Sequence, residues 1–287
     1  MNISGIPIAK TGSSIEVDAQ TQLFAVLAGN SRSSGIYPLY NAGFKTAGYN
    51  GIYIPIDVDE DIKNTLDSLI SLGFRGAGIG VPFKVAIMPY VNELVGDASR
   101  IGAINYVVFD KGRVVGGNTD GLGALKALKE KTTVSGKKVI LVGAGGMAKA
   151  IMLAVSDEGG RLFITNRTPE KASDLAKRVN AQTFLPEELP REIQDAQVVI
   201  NATTLGMKGI QEKMSAIPKD LLKPGLIVQD VVSVPRETQL IIDAKEKGCI
   251  VVPARRTSLW QAVLKFQPFT GIKPDGTIIA AMEKAFN

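Results

Sequence analysis

The stretch 139–150, Val-Ile-Leu-Val-Gly-Ala-Gly-Gly-Met-Ala-Lys-Ala, limits what this chain can fold into more than any other part of it. A short apolar, β-branched run stops at Gly143, glycines return at Gly145 and Gly146, and a helix-forming run begins at Met147. That order predicts a buried parallel strand, a tight turn and a helix start. Gly143 permits the sharp turn, Gly145 lets the backbone approach a ligand, and Ala148 keeps the helix close to the strand. The helix N-terminus offers free N–H groups and the positive end of its dipole, a seat for the pyrophosphate of a dinucleotide. The alternative is a plain strand-to-helix turn. The strand before, the helix after and another apolar run at 161–165 favour dinucleotide binding.

Further apolar runs near 197–202, 226–230 and 249–253, separated by helical patterns, predict a doubly wound parallel sheet in this α/β chain. The first half predicts strands at 21–29, 51–58 and 76–81 and helices at 37–47, 59–72 and 91–101. A hairpin, 103–109 with 113–117, is expected around Asp110, Lys111 and Gly112, and the loop 117–123 then opens a helix that runs to about Glu130. Residues 256–266 and 277–286 read as closing helices.

The chain of 287 residues has no histidine and one cysteine, Cys249. A histidine general base, a histidine-oriented serine and the usual zinc ligands are therefore excluded, no metal is expected, and no internal disulfide can form. None of the six tyrosines has a lysine four positions on, which rules out the short-chain dehydrogenase pair. Acid–base work must fall to Lys, Asp, Glu or Tyr in another arrangement. The net charge of +5 comes from scattered Lys and Arg without aromatic interleaving. That balance fits an anionic small-molecule partner rather than nucleic acid. No stretch has transmembrane length, and the polar residues 1–20 include acids, unlike a signal peptide, so the expectation is a cytoplasmic protein with no membrane partner. Nothing in the sequence specifies an oligomeric state.

Three polar residues stand out. Lys84 follows a strand and Val-Pro-Phe; standing alone it would be a solvated surface lysine. Asp120 sits just before a helix; standing alone it would be an N-cap. Asn105 begins the hairpin and would pass for a buried structural amide. Together they form part of a pattern. The segments are Val81-Pro-Phe-Lys84, Ile101-Gly-Ala-Ile-Asn105, Gly117-Asn-Thr-Asp-Gly-Leu-Gly123, Gly143-Ala-Gly-Gly146, Asn166-Arg-Thr168, Asn201-Ala-Thr-Thr-Leu-Gly-Met207, and Gln261 with Phe266 and Thr270-Gly271. In this order and spacing, the chain resembles the shikimate dehydrogenase family.

The resemblance implies a substrate-binding domain, 1–119, closed by C-terminal helices of about 256–287. It implies a Rossmann-type domain, 120–255, across a cleft. Lys84 and Asp120 would be the catalytic pair, and Ser33, Ser34, Asn105, Asp120 and Gln261 would hold a cyclic hydroxy acid. The cofactor set becomes Gly143, Ala144, Gly145, Gly146, Met147, Ala148, Asn166, Arg167, Thr168, Lys171, Thr203 and Met207. The implied reaction interconverts shikimate and 3-dehydroshikimate, or acts on a relative such as quinate or aminoshikimate. A lysine in a closed cleft has its pKa lowered towards working pH and can accept the hydroxyl proton as hydride leaves. The strand ending before Asn166 carries no acid at its tip for a ribose 2′-hydroxyl, while Arg167 and Lys171 can clamp a 2′-phosphate. The cofactor is therefore read as NADP rather than NAD.

The substrate side departs from the family pattern. Tyr40 stands where a histidine is usual, and Gly78 and Gly80 replace Asn and Thr, which is expected to leave room. Val231 to Ser233 stand where a tyrosine is usual. Arg32 offers a carboxylate partner or simply faces solvent. Gly5-Ile-Pro-Ile-Ala9 looks like the family's opening, but no strand precedes it. These losses keep open an alternative: a catalytically weak nucleotide-binding sensor or partner protein of the same fold.

Overall fold

The computed structural model describes residues 17–59, 61–209 and 211–286; the segment 5–9 and the side chains of Ser33 and Ser34 lie outside the described residues. A first sheet contains β1 (Gln22–Ala28), β2 (Gly51–Asp57), β3 (Phe74–Ile79), β4 (Glu93–Val95), β5 (Tyr106–Asp110) and β6 (Arg113–Gly117), in the order β2-β1-β3-β5-β6-β4. It is mixed: β1 runs parallel to β2 and β3, and β5 runs antiparallel to β3 and β6. The intervening helices are α1 (Tyr37–Thr46), α2 (Ile62–Ser71), α3 (Phe83–Ala86) and α4 (Ala98–Ile101).

The period of two along β1 sorts its side chains between two cores. Ala25 and Leu27 pack with Ile62, Leu66 and Leu69 of α2, whereas Phe24 and Val26 pack with Leu39, Tyr40 and Phe44 of α1. The hairpin turns at Lys111 and Gly112, both with positive φ (47° and 79°), which suits a tight two-residue turn between twisted strands.

One expected element is wrong. Residues 91–101 do not form a helix; Glu93–Val95 is a strand, pairing in parallel with Val115 to Gly117, and only Ala98–Ile101 is helical. Apolar residues at Val91, Leu94, Val95, Ala98 and Ile101 mimic helical spacing. A free sheet edge beside β6 takes up the backbone hydrogen bonds instead.

Helix α5 (Asp120–Lys129) leads to the second unit: β7 (Lys138–Val142), α6 (Gly146–Asp157), β8 (Arg161–Thr165), α7 (Pro169–Ala176), β9 (Gln182–Thr183), α8 (Leu189–Glu192), β10 (Val198–Asn201), β11 (Ile227–Asp230), α9 (Gln239–Glu246) and β12 (Ile250–Val252). The strand order is β12-β11-β10-β7-β8-β9 and every pair is parallel. Val139 and Leu141 pack under α5 and α6, and Ile140 packs on the opposite face with Leu240 and Ala244 of α9. The order reverses between β7 and β10, where doubly wound sheets open a crevice at the strands' carboxyl ends. The short edge strand β9 had no counterpart among the expected runs.

The chain then returns. Helix α10 (Ala254–Thr270) and α11 (Gly276–Phe286) pack on the first sheet, where Leu259, Phe266, Phe269 and Met282 join Phe24 and Tyr40. Helices α5 and α10 lie antiparallel. Gly123 sits against Gln261, and Glu130 accepts from Arg256 Nε at 2.8 Å and Trp260 Nε1 at 2.6 Å. No helix among the described residues is long and apolar enough to cross a membrane.

Candidate active site

Lys84 is positioned from behind. The Gly80 N–H donates to the Leu27 carbonyl at 2.7 Å, and the Gly29 N–H donates to that of Val81 at 3.1 Å, holding the exit of β3 to the end of β1. Phe83 is buried in the core, and the Lys84 carbonyl accepts from the Ile104 N–H at 2.9 Å. From this anchored backbone, Lys84 Nζ reaches Asp120 Oδ2 at 2.6 Å, with the lysine side chain 29% exposed and the aspartate 5%.

Asp120 opens α5 without capping it. Thr119 holds the cap position, and the Asp120 N–H donates to Asn118 Oδ1 at 2.8 Å; Asn118 Nδ2 in turn donates to the Ala103 carbonyl at 3.0 Å. The carboxylate is thus left for other partners. Asn105 Nδ2 donates to Asp120 Oδ1 at 2.8 Å and to Thr119 Oγ1 at 3.0 Å, and Asn105 Oδ1 accepts from the Thr119 N–H at 3.0 Å. Burial alone would raise the Asp120 carboxyl. The charge and hydrogen bond of Lys84, the Asn105 bond and the more distant charge of Lys265 outweigh it and hold the group below the usual carboxylate range.

Gln261 joins from α10. Thr119 Oγ1 donates to its carbonyl at 3.2 Å, and a Cβ at Gly123 would meet Gln261 Cγ at 2.6 Å, so α5 approaches α10 closely here. Among the described residues the Gln261 side chain amide makes no hydrogen bond, which leaves it available to a ligand. One turn further along α10, Lys265 is buried beside this cluster and acts electrostatically on both Asp120 and Lys84. Sequence reading passed over it; a lysine four residues from Gln261 inside an otherwise apolar run was the signal.

The glycine turn forms as expected. Gly143 has φ of 120°, and a Cβ there would lie 2.9 Å from the Ala202 carbonyl oxygen. Gly145 is the N-cap of α6, and a Cβ at Gly145 or Gly146 would meet nothing within 4 Å. That side of the turn is open, with Ala144 and Met147 against the core and Ala148 fully buried. The Gly143 N–H donates to the Thr165 carbonyl at 2.8 Å, which sets the turn beside Asn166, Arg167 and Thr168. Asn166 Nδ2 donates to the Thr168 carbonyl at 2.9 Å, and Arg167 and Lys171 are exposed. Asn201 Oδ1 accepts from Thr203 Oγ1 at 2.7 Å, and Asn201 Nδ2 donates to Asp230 Oδ1 at 3.0 Å. Thr238 Oγ1 donates to Asp230 Oδ2 at 2.5 Å. This buried net, which sequence reading did not assemble, frames the loop that carries Thr203 and the exposed Met207. Its acid is raised by burial, against those hydrogen bonds.

One expectation on the substrate side is corrected. The place beside Gly78 is not empty: a Cβ there would lie 2.4 Å from the Tyr53 hydroxyl, which accepts from the Gly78 N–H at 3.1 Å. Beside Gly80, Ala28 Cβ would lie at 2.8 Å. Tyr53 stacks on Tyr40, with ring centroids 4.2 Å apart, so the Tyr40 position has become part of an aromatic core. Of the two readings of Arg32, the structure shows the solvent-facing one: its side chain is 75% exposed, with Nε 3.3 Å from Asp57 Oδ2, and Ser31 Oγ donates to Asp57 Oδ1 at 2.7 Å.

Comparison with known proteins places the chain in a family. Residues 26–107 match the family described as shikimate dehydrogenase substrate binding domain, and residues 125–248 match that described as shikimate / quinate 5-dehydrogenase. The shikimate dehydrogenase (NADP(+)) of Pyrococcus furiosus is 36% identical over 260 residues, covering 90% of this chain and 94% of that protein. The structure of shikimate dehydrogenase from Aquifex aeolicus superposes with a TM-score of 0.86 at 32% identity, covering 94% of this chain and 99% of that one. Quinate dehydrogenase from Corynebacterium glutamicum, in complex with NAD, gives a TM-score of 0.82 at 29% identity, covering 93% and 98%.

Proposed function

The chain belongs to the shikimate dehydrogenase family, and from that premise we propose that it is an NADP-dependent oxidoreductase interconverting shikimate and 3-dehydroshikimate. The observation that carries this reading is the 2.6 Å contact between Lys84 and Asp120, braced by Asn105. A sensor without turnover would have no use for a lysine held so closely to a buried acid. Asn105, Asp120 and Gln261 bind substrate hydroxyls, and Ser33 and Ser34 lie on the turn assigned to its carboxylate. The substrate domain comprises 1–119 with the helices of about 256–287, the cofactor domain is 120–255, and the protein works in the cytoplasm.

When bound, NADP supplies the acceptor or donor of hydride. The protein supplies proton management. During reduction the Lys84 ammonium gives a proton to the forming hydroxyl, and during oxidation the amine, once it has released that proton, takes the one from the reacting hydroxyl. Asp120, kept ionised by its partners, stabilises the ammonium so formed. Its other oxygen is held by Asn105, so the pair keeps one geometry. Gly143, Ala144, Gly145, Gly146, Met147 and Ala148 hold the pyrophosphate at the start of α6, Asn166, Arg167, Thr168 and Lys171 the phosphorylated ribose, and Thr203 and Met207 the nicotinamide side.

Initial rates of nicotinamide reduction, with shikimate and quinate each paired with NADP and NAD, test the reading. Shikimate with NADP is expected to be the fastest pair. Turnover confined to quinate would move the protein beside its quinate dehydrogenase neighbour, and no turnover with either would overturn the proposal. In the same assay, replacing both Arg167 and Lys171 by Ala lowers kcat/KM for NADP by about 10- to 100-fold, the worth of charge-assisted bonds to a phosphate. The value for NAD stays within about twofold.

A further inference from the structure

The roles above leave Lys265 unused. It is 5% exposed, among Ala262, Val263 and Phe266 on α10. Its backbone is fixed at the centre of the site. Its N–H belongs, by helix register, to the Gln261 carbonyl, the same oxygen that Thr119 binds. Among the described residues it forms no ion pair. The acid that acts on it, Asp120 of α5, has Oδ2 on Lys84 and Oδ1 on Asn105. The remaining charges of the packed helices are committed elsewhere, because Glu130 of α5 and Glu283 of α11 both pair with Arg256. Tyr106 of β5 stays a neutral phenol because burial raises it.

Burial pushes the Lys265 ammonium down, the charge of Asp120 draws it back up and that of Lys84 lowers it again, to about 8. At neutral pH it is therefore mostly charged, buried and short of acceptors, a costly condition unless a ligand brings one. A group placed between Lys265 and Asp120 must accept from the ammonium and donate to the carboxylate. A hydroxyl does both. A carboxylate is repelled by Asp120, and an ammonium is repelled by Lys84 and Lys265. Because Asp120 also holds Lys84, a hydroxyl gripped by Asp120 and Lys265 is a neighbour of the reacting one, as on adjacent ring carbons.

We propose that Lys265 is a substrate-binding residue that, with Asp120, grips the hydroxyl next to the carbinol being oxidised, making the site selective for vicinal diols over deoxy and amino analogues. The assignment of the reacting carbinol to Lys84 rests on the function proposed above, so the test reads binding and turnover separately.

Shikimate and its 4-deoxy analogue are titrated calorimetrically into the NADP complex of the wild-type chain and of Lys265→Met, and turnover is measured alongside. Loss of the charged donor is expected to weaken shikimate about 30-fold and the deoxy analogue less than about twofold. Lys265→Gln, which keeps a donor, recovers part of the shikimate affinity. Wild-type affinity for shikimate falls as pH rises through about 8, and that limb is absent in Lys265→Met. Its melting temperature does not fall, because an unpaired buried charge has been replaced by an apolar chain of similar length. Equal weakening of both ligands, or none, overturns the proposal. If the wild-type chain binds shikimate without oxidising it, the functional reading fails and the binding pattern still judges Lys265; if it does not bind shikimate, both fail.

Discussion

Lys84→Met is expected to lower kcat for shikimate oxidation by about a thousandfold, the middle of the range for a positioned acid–base group. Affinity for NADP should change by less than about twofold, because the glycine turn and α6 lie outside the first sheet that carries Lys84. The substitution also leaves the Asp120 carboxylate, 5% exposed, without its cation, which costs about 3 kcal/mol of stability. These effects separate in a second variant. Adding Asp120→Asn removes the stranded charge and restores most of the stability, while turnover stays low. Denaturant unfolding and steady-state rates on the two variants make the comparison. Turnover within about tenfold of wild type in Lys84→Met would remove the lysine from proton transfer.

Gly121→Ala is expected to be the most destabilising single methyl in the chain. A Cβ there would lie 2.1 Å from the Ala150 carbonyl oxygen. That atom is helix backbone and has no rotamer with which to give way, so α5 must move off α6. Overpacking of this kind costs about 3 kcal/mol, or roughly 9 °C in melting temperature for a chain of this size. Gly145→Ala makes the control. Its Cβ meets nothing within 4 Å, so the melting temperature should hold while NADP binds more weakly. Differential scanning calorimetry with and without NADP reads both. A normal melting temperature in Gly121→Ala would mean that the two helices are less closely seated than the structure places them.

The glycine turn and the parallel sheet were legible because their signals are local: a strand, a turn and a helix follow one another without interruption. Lys84, Asn105 and Asp120 were legible only as a set, since each taken alone has an ordinary structural explanation. The element misread, 91–101, has helical spacing and becomes a strand only because β6 offers it an edge, a non-local fact. The same holds for Gly78. The missing side chain is visible in the sequence, but its replacement by Tyr53 comes from β2, across β1 from the strand that carries Gly78, and depends on sheet register. Lys265 went unseen because lysine is ordinarily a surface residue, and its burial follows from α10 crossing back over the first sheet.

That crossing has a mechanical consequence. The chain passes from the first sheet to the second along α5 and returns along α10, and these two helices lie against each other. The two units are therefore joined by a paired axle, with a second junction where Arg100 of α4 bonds Asp157 of α6 at 2.6 and 3.0 Å. Asp120, Gln261 and Lys265 are mounted on it, whereas the glycine turn and the Arg167 loop stand out on one arm. When a body rotates, points near the axis travel least. Under the proposed function, a swing of the second unit about this axle would have to part Arg100 from Asp157, and it would change the approach of the nicotinamide more than the setting of Asp120, Gln261 and Lys265. In the proposed enzyme, cofactor exchange by such a rotation would cost the Arg100–Asp157 bond and spare the contact of Lys84 with Asp120.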